Sequence, residues 1–523
     1  MAKITSLIQS TEAKRLLSID NIKKVYMNDS RPWIIGYSGG KDSSCVVHLV
    51  MNAINELPVQ QRTKKIYIVS SDTLVETPLI KLQLEDNLRR IHDASRNLNI
   101  PISTHLVHPK TKDTFWVNII GKGYPTPNQT FRWCTDRMKI EPTNQFIKDI
   151  VDQQGEVIML LGVRKGESSS RDRVIDGYSV ENSLLMRHST LMNAFVYAPI
   201  VDFDINDVWN TLLNTESLWG ADNSALYQLY SDSNSNECPL IVDKNIKETA
   251  GSCGNSRFGC WVCTVVSEDK ALSGFISSGV KWLQLLLDYR NWLTDIRDNR
   301  EMRAKYRTNG SVYFMNLEFK GDRIVIAQKG KRNKLEIKLD GHDSNGEMWR
   351  FFDSKAEALK YLSENNINLG SDEDPKIIVR EFDGYSMLGL GPFTIDARKE
   401  MLKRLLETQK KIFDEFGVDY ELISIDEIKE IGRIWLSNGI WNKTIFDIYE
   451  KALGKPLSVN QDEVSFLGED DEALLERICV EENVDLELIK KLLYVERNNI
   501  GLQRRDDAIK EIKRILNQDI VNI

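Results

Sequence analysis

Residues 33–44 read Trp33-Ile34-Ile35-Gly36-Tyr37-Ser38-Gly39-Gly40-Lys41-Asp42-Ser43-Ser44. An apolar strand runs directly into a glycine pair flanked by serines, and a stretch with helical apolar spacing follows. Glycines at 39 and 40 allow turns closed to other residues, so that successive amides converge on an anion at the start of the helix. Ser38 and Ser43 add hydroxyl donors. A Walker A loop needs Ser or Thr directly after Gly-Lys, whereas Gly40-Lys41 is followed by Asp42, and the Gly36 to Gly40 spacing is one residue short. The stretch predicts a phosphate cradle between a strand and a helix.

The segment Ser38-Gly39-Gly40-Lys41-Asp42-Ser43 resembles the SGGxDS pyrophosphate loop of the PP-loop ATP pyrophosphatases, the superfamily of PAPS reductases, ATP sulfurylase small subunits and tRNA thiolation enzymes. The resemblance implies ATP cleavage between the α and β phosphates, with Ser38, Gly39, Gly40, Lys41, Asp42 and Ser43 around the phosphates and Asp42 helping Mg2+.

A chain of 523 residues is long for one core and predicts two or three domains. Its 69 basic and 77 acidic residues give a net charge of −8, so a nucleic-acid surface has to be local. No apolar run approaches the roughly 20 residues of a bilayer span, and Met1-Ala2-Lys3 opens no signal peptide, which predicts a cytoplasmic protein. Seven cysteines form no disulfide framework; four lie between 238 and 263 and suggest a metal centre.

From 30 to 200, β-branched runs alternate with amphipathic stretches, the pattern of an α/β parallel sheet with helices on both faces. Strands are expected at 34–37, 66–71, 102–107 and 157–162, and helices at 43–55, 76–98 and 136–150. In such a sheet ligands bind beyond the carboxyl ends of the strands. The expected organisation is an N-terminal helical segment at 1–30, the nucleotide domain at 31–232, a cysteine-cluster segment and helix at 233–300, a small antiparallel β meander within 305–385 (runs at 312–319, 323–327 and 335–339), and a helical C-terminal region at 390–523. The basic turn from Lys329 to Lys334 reads equally as a phosphate contact or a solvated hairpin.

Three further elements are similar to the PAPS reductase-like pattern. Ser71-Asp72-Thr73-Leu74-Val75-Glu76-Thr77-Pro78 is like its DTG…PET segment, with Leu74 in place of glycine, and implies Asp72 and Thr73 near the nucleotide. Arg132-Trp133-Cys134 with Arg137 and Lys139 looks like its R[WY]C…K element; the cations suit a phosphoester, and a thiol among them is expected to ionise readily, as a sulfur carrier requires. A buried helix-start cysteine is the plainer reading of Cys134. Gly162-Val163-Arg164 through Arg171 resembles the G[VI]RxxES…R phosphate element. Catalytic roles fall on Asp42, Cys134, Arg132 and Arg164.

Cys238, Cys253, Cys260 and Cys263 are separated by 14, 6 and 2 residues, and Cys260-Trp261-Val262-Cys263 grips a metal from one turn. Spacing alone leaves zinc and a [4Fe–4S] cluster open; the resemblance implies the cluster. Cys45, Cys479 and His48 read as core residues.

Taken in order along the chain, with Gly391-Pro392-Phe393-Thr394 to Leu406 added, these elements resemble the DndC-type sulfurtransferase subunits of bacterial DNA phosphorothioation systems. That resemblance implies a cysteine desulfurase as sulfur donor, further subunits of the modification complex and DNA as partners. Rival readings are a PAPS or APS reductase-like oxidoreductase, a tRNA thiolase, and a non-catalytic scaffold with a zinc site.

Overall fold

The computed structural model describes residues 2–165, 184–188, 191, 193–231, 259–305, 307, 314–320, 323–328, 385–441, 444–457, 469–501 and 505–516. Arg171, Cys238, Cys253, the 335–339 run and the basic turn at Lys329 to Lys334 lie outside these residues. The chain divides into two compact units. The first comprises Met1–Asn118, Thr126–Leu293 and Thr408–Leu422; the second comprises Ile119–Pro125, Thr294–Glu407 and Ile423–Ile523.

The first unit is an α/β sheet. β1 (Trp33–Gly36), β2 (Ile66–Ser71), β3 (Ile102–Val107), β4 (Val157–Leu160), β5 (Leu185–Arg187) and β6 (Ala194–Tyr197) form a six-stranded sheet in the order β3-β2-β1-β4-β6-β5. All neighbours are parallel except the β5–β6 edge pair. The strands are short β-branched runs covered on both faces; Trp33 and Ile35 face one cluster, Ile34 and Met159 the other. Around them lie α1 (Ala2–Asn28), α2 (Lys41–Asn55), α3 (Pro78–Asn97) and α4 (Glu141–Gln154). Farther along the chain come α5 (Ile205–Asn214), α6 (Asn223–Ser231), α7 (Lys270–Ser277) and α8 (Leu283–Arg297). The first eleven residues of α2, Lys41 to Met51, are all buried.

Two helix starts differ from expectation for one reason, proline. Pro78 and Pro142 stand at the first positions of α3 and α4, where a missing N–H costs nothing. Residues before Pro78 stay extended, and Thr135–Ile140 forms a π-helical turn ahead of α4. As expected, His48 and Cys45 are core residues. His48 donates or accepts at Thr215 Oγ1 (2.7 Å), and burial pulls its imidazole down to about 4, so it is neutral at physiological pH.

In the second unit, β7 (Phe314–Lys320) pairs antiparallel with β8 (Arg323–Gln328) and with β9 (Tyr385–Leu388). Among the described residues the order is β8-β7-β9, so β7 is central and the sheet is not a simple meander; the expected 335–339 run lies outside the described residues. Six helices follow: α9 (Ile395–Phe416), α10 (Ile425–Ser437), α11 (Thr444–Leu453), α12 (Glu469–Glu481), α13 (Leu486–Asn498) and α14 (Asp506–Leu516); the end of α9, from Thr408, counts with the first unit. Within this unit Arg398 Nη1 donates to the Gly121 carbonyl (2.6 Å) and the Trp435 indole to that of Ile120 (2.9 Å). No helix of the described residues is long and apolar enough to cross a membrane.

Asp207 ties α1 to α5: its carboxylate accepts from Thr11 Oγ1 (2.6 Å) and Lys14 Nζ (2.5 Å) and closes the capping box with Asp204. Burial alone would raise its pKa, but the Lys14 and Thr11 bonds outweigh that and hold it below the usual carboxylate value. Its stabilisation is therefore complete above about pH 4 and fades as pH falls through the lowered folded value. Asp207→Asn is expected to cost about 1–2 kcal/mol at pH 7, and the gap to wild type in urea denaturation should close in acid.

Candidate active site

Beyond the end of β1, Gly39 takes φ +73° and Gly40 leads extended into α2 without a side-chain cap. The Ser43 hydroxyl donates to the Gly40 carbonyl (3.0 Å) and accepts from the Ser38 amide (3.2 Å), while Ser38 Oγ accepts from the Gly40 amide at 3.4 Å. The two serines thus brace one turn at the start of α2, where a helix N-terminus favours an anion. Tyr230 of α6 accepts from the Lys41 amide (3.3 Å), and Lys41 Nζ lies 5.3 Å from its ring centroid.

Arg164 reaches this loop from the end of β4. Its Nε donates to Asp42 Oδ1 (2.6 Å), and Lys41 Nζ holds Asp42 Oδ2 (3.0 Å), all three side chains being buried. Two cations thus converge on one carboxylate at the loop, and both are residue types that bind phosphate oxygens. The approach depends on Gly162: a Cβ there would lie 2.9 Å from the Asp42 carbonyl carbon and 3.1 Å from the Ser43 amide. Magnesium usually takes one or two carboxylates plus phosphate oxygens, and Asp42 is the loop carboxylate that fits that role once phosphates engage Lys41 and Arg164.

The end of β2 carries a second polar group. Asp72 accepts from the Leu74 amide (2.7 Å) and pairs with Lys81 (3.0 Å). Leu74, standing where the resembling families have glycine, holds φ +66°. A leucine in the left-handed region is strained, and the turn keeps it there. Thr73 Oγ1 donates to Glu76 Oε1 (3.0 Å) and contacts Cys260 Sγ (3.2 Å); Lys139 Nζ stands 3.5 Å from the same carboxylate.

The cysteine segment reaches Thr73 because its backbone pairs with the stretch after β2. The Trp261 amide donates to the Val75 carbonyl (3.0 Å) and the Thr77 amide to that of Gly259 (3.4 Å). Cys263 and Cys260 share one turn through a 3.0 Å backbone bond. Arg290 on α8, 1% exposed, anchors that turn by donating to the carbonyls of Cys263 and Ser267 (2.9 Å each) and of Val266. Burial of the sulfur and then the Glu76 charge push the Cys260 thiol up; Lys139 and Thr73 oppose them.

Cys134, half-buried, opens the π-helical turn and lies within electrostatic reach of Cys260. Around it Arg137 donates to Asn118, while the buried Arg132 Nε has no hydrogen-bond partner among the described residues. The structure therefore places Cys134, Cys260, Thr73, Glu76 and Lys139 together, and separately Ser38 to Ser43 with Gly162 and Arg164. Cys260 and Cys263 fit a thiolate-held metal as the two ligands of one turn; among the described residues no group of three His, Cys, Asp or Glu forms a metal-holding cluster.

Sequence reasoning missed Arg290 and Tyr420. Arg290 looked like one more charge on an amphipathic helix. Tyr420 lies far from every motif in sequence, yet burial and the charges of Asp72, Glu85 and Glu76 push its phenol up to about 12.

Two substitutions test this geometry. Gly162→Ala is expected to force the β4 end away from α2 and lower ATP affinity at least tenfold, read by calorimetry, while the fold persists by circular dichroism. Arg290→Ala leaves three carbonyls short of a donor and should cost about 2–4 kcal/mol in urea denaturation.

Residues 32–266 match the family model described as the phosphoadenosine phosphosulfate reductase domain. An uncharacterised protein of Methanocaldococcus jannaschii is 24% identical over 275 residues, 52% of this chain and 45% of that protein. A second uncharacterised protein of the same organism is 25% identical over 256 residues, 49% of this chain and 47% of its own length. The match spans about half the length of these curated relatives. Among solved structures, PAPS reductase from Candida auris aligns at TM-score 0.24 with 15% identity, covering 38% of this chain and 84% of that one. The U34-tRNA thiolase NcsA from Methanococcus maripaludis, with its [4Fe-4S] cluster, aligns at TM-score 0.26 with 11% identity, covering 54% and 80%. Superpositions at this level carry no functional argument. Residues 32–266 are thus similar to the phosphoadenosine phosphosulfate reductase domain, and their mostly parallel sheet with helices on both faces is of the PP-loop type.

Proposed function

We propose that this chain is an ATP pyrophosphatase and sulfurtransferase that adenylates a DNA backbone phosphate and helps install sulfur there as a phosphorothioate. The observation that carries the reading is the adjacency of two kinds of chemistry: a cation-lined phosphate loop at the end of β1, and a paired-thiol group at the end of the neighbouring β2. An oxidoreductase or a tRNA thiolase would share the loop; the order of motifs along the chain, with the C-terminal Gly391 to Leu406 stretch, favours the DNA-modifying sulfurtransferases it resembles.

In this reading ATP lies with its phosphates on Ser38 to Ser43, and Lys41, Arg164 and the uncapped start of α2 offset the charge that builds on the α phosphate. A non-bridging oxygen of the DNA phosphodiester attacks that phosphate, pyrophosphate leaves, and the oxygen becomes part of an AMP leaving group. A cysteine desulfurase delivers persulfide sulfur to Cys134. The terminal sulfur displaces AMP, and a thiol reductant then cleaves the remaining sulfur–sulfur bond, freeing the phosphorothioate and the Cys134 thiol. Arg132, with its buried Nε awaiting a partner, is suited to the phosphoester. A metal centre held by Cys260 and Cys263, with Cys238 and Cys253, would supply sulfur handling or redox capacity beside Cys134. The other subunits of the modification complex would present DNA.

Ser38→Ala and Arg164→Gln are expected to lower AMP and pyrophosphate formation by at least a hundredfold, and Cys134→Ser to leave adenylation intact while removing phosphorothioate from DNA incubated with desulfurase and cysteine. Reduction of PAPS to sulfite with no AMP or pyrophosphate from ATP would overturn the reading.

A further inference from the structure

The phosphate loop, the 72–77 stretch and the cysteines all fall inside residues 32–266, the part matched by the family model. Thr408–Leu422 does not, yet it belongs to the same compact unit. The segment is fixed at its end: the Leu422 carbonyl accepts from the buried Trp116 indole (2.7 Å), and the Leu422 amide donates to Gln409 Oε1 (2.8 Å). Two residues earlier Tyr420 packs on Trp282, with ring centroids 6.0 Å apart and planes at 44°. Both rings are half-buried, so each keeps an accessible part.

The strand order says which part of a nucleotide this aromatic pair meets. Phosphates lie at the end of β1, with Arg164 coming from β4 on one side; β2 is the neighbour on the other side. A nucleoside extending from the loop toward β2 passes Asp72, whose carboxylate suits a ribose hydroxyl. The Tyr420 segment is tied to that stretch by packing: Trp116, whose indole donates to the Leu422 carbonyl, lies with its ring centroid 5.8 Å from that of Trp261, whose amide donates to the Val75 carbonyl (3.0 Å), and the charges of Asp72, Glu76 and Glu85 also reach Tyr420. A planar base beyond the ribose would meet an aromatic face, where stacking and burial favour it.

We infer that Tyr420, backed by Trp282, is a specificity-determining residue that receives the nucleoside end of the nucleotide, supplied by a segment outside the family domain. The inference rests on the phosphate-loop reading and deepens it. It also gives part of the C-terminal half a place in the site that the motifs leave open.

Calorimetric titration of the full chain with ATP and with inorganic tripolyphosphate separates the two ends of the ligand, since tripolyphosphate uses the loop alone. Tyr420→Ala is expected to weaken ATP binding on the order of tenfold with tripolyphosphate unchanged, while Tyr420→Phe keeps ATP affinity within about threefold. Tyr420→Leu, which retains bulk against Trp282, should follow the alanine variant. Unchanged ATP affinity in both truncations overturns the inference alone. Parallel loss of ATP and tripolyphosphate in both does so too, because the effect then reaches the loop instead of the base. A wild-type chain that binds neither ligand overturns the phosphate-loop reading and the inference with it.

Discussion

Everything around the loop after β1 depends on how closely the end of β4 lies against the first turn of α2. At residue 162 the separation leaves no room for a side chain, and that contact lets Arg164 bond Asp42 across 2.6 Å. With a methyl group at 162 the strand end and the helix start would part by a few tenths of an ångström at least. The bond from Arg164 to Asp42 would then lengthen, and the loop would lose the cation that β4 delivers to it. The other features are consequences of the same arrangement: a helix buried along its first eleven residues and a parallel sheet whose strand ends open on one side.

Much of this was legible in the residues. β2 and β3 fall where the β-branched runs place them, and β1 and β4 within one or two residues. These strands are buried on both faces, and continuous apolar runs of that length between polar turns have few other uses. The turn after β1 was legible because glycines and serines in a fixed order mark it, and the structure uses both serines for the turn's own hydrogen bonds. Leu74 shows the opposite case: its side chain argues against a left-handed turn, yet the turn closed by its amide on the Asp72 carboxylate adopts one.

What stayed hidden is what depends on partners distant in sequence. Nothing in Cys260-Trp261-Val262-Cys263 says that its backbone pairs with Val75 and Thr77, because that pairing joins main-chain groups some 185 residues apart and leaves no pattern in side chains. Arg290 and Tyr420 are likewise ordinary helix and loop residues until the fold brings carbonyls to one and carboxylates to the other. β9 was hidden in the same way, since its partner β7 lies about 70 residues earlier.

The cysteine turn, finally, is held by more than its sulfurs. Main-chain pairing to the 75–77 stretch, the Arg290 clamp and a 2.6 Å bond from Thr264 Oγ1 to the Pro127 carbonyl fix Cys260 and Cys263 without any ligand between them. Zinc fingers draw their folding energy from the ion; a turn braced in this way does not. The backbone bracing of Cys260 and Cys263 is thus independent of whatever their sulfurs hold, and the shape of this turn does not rest on a bound ion.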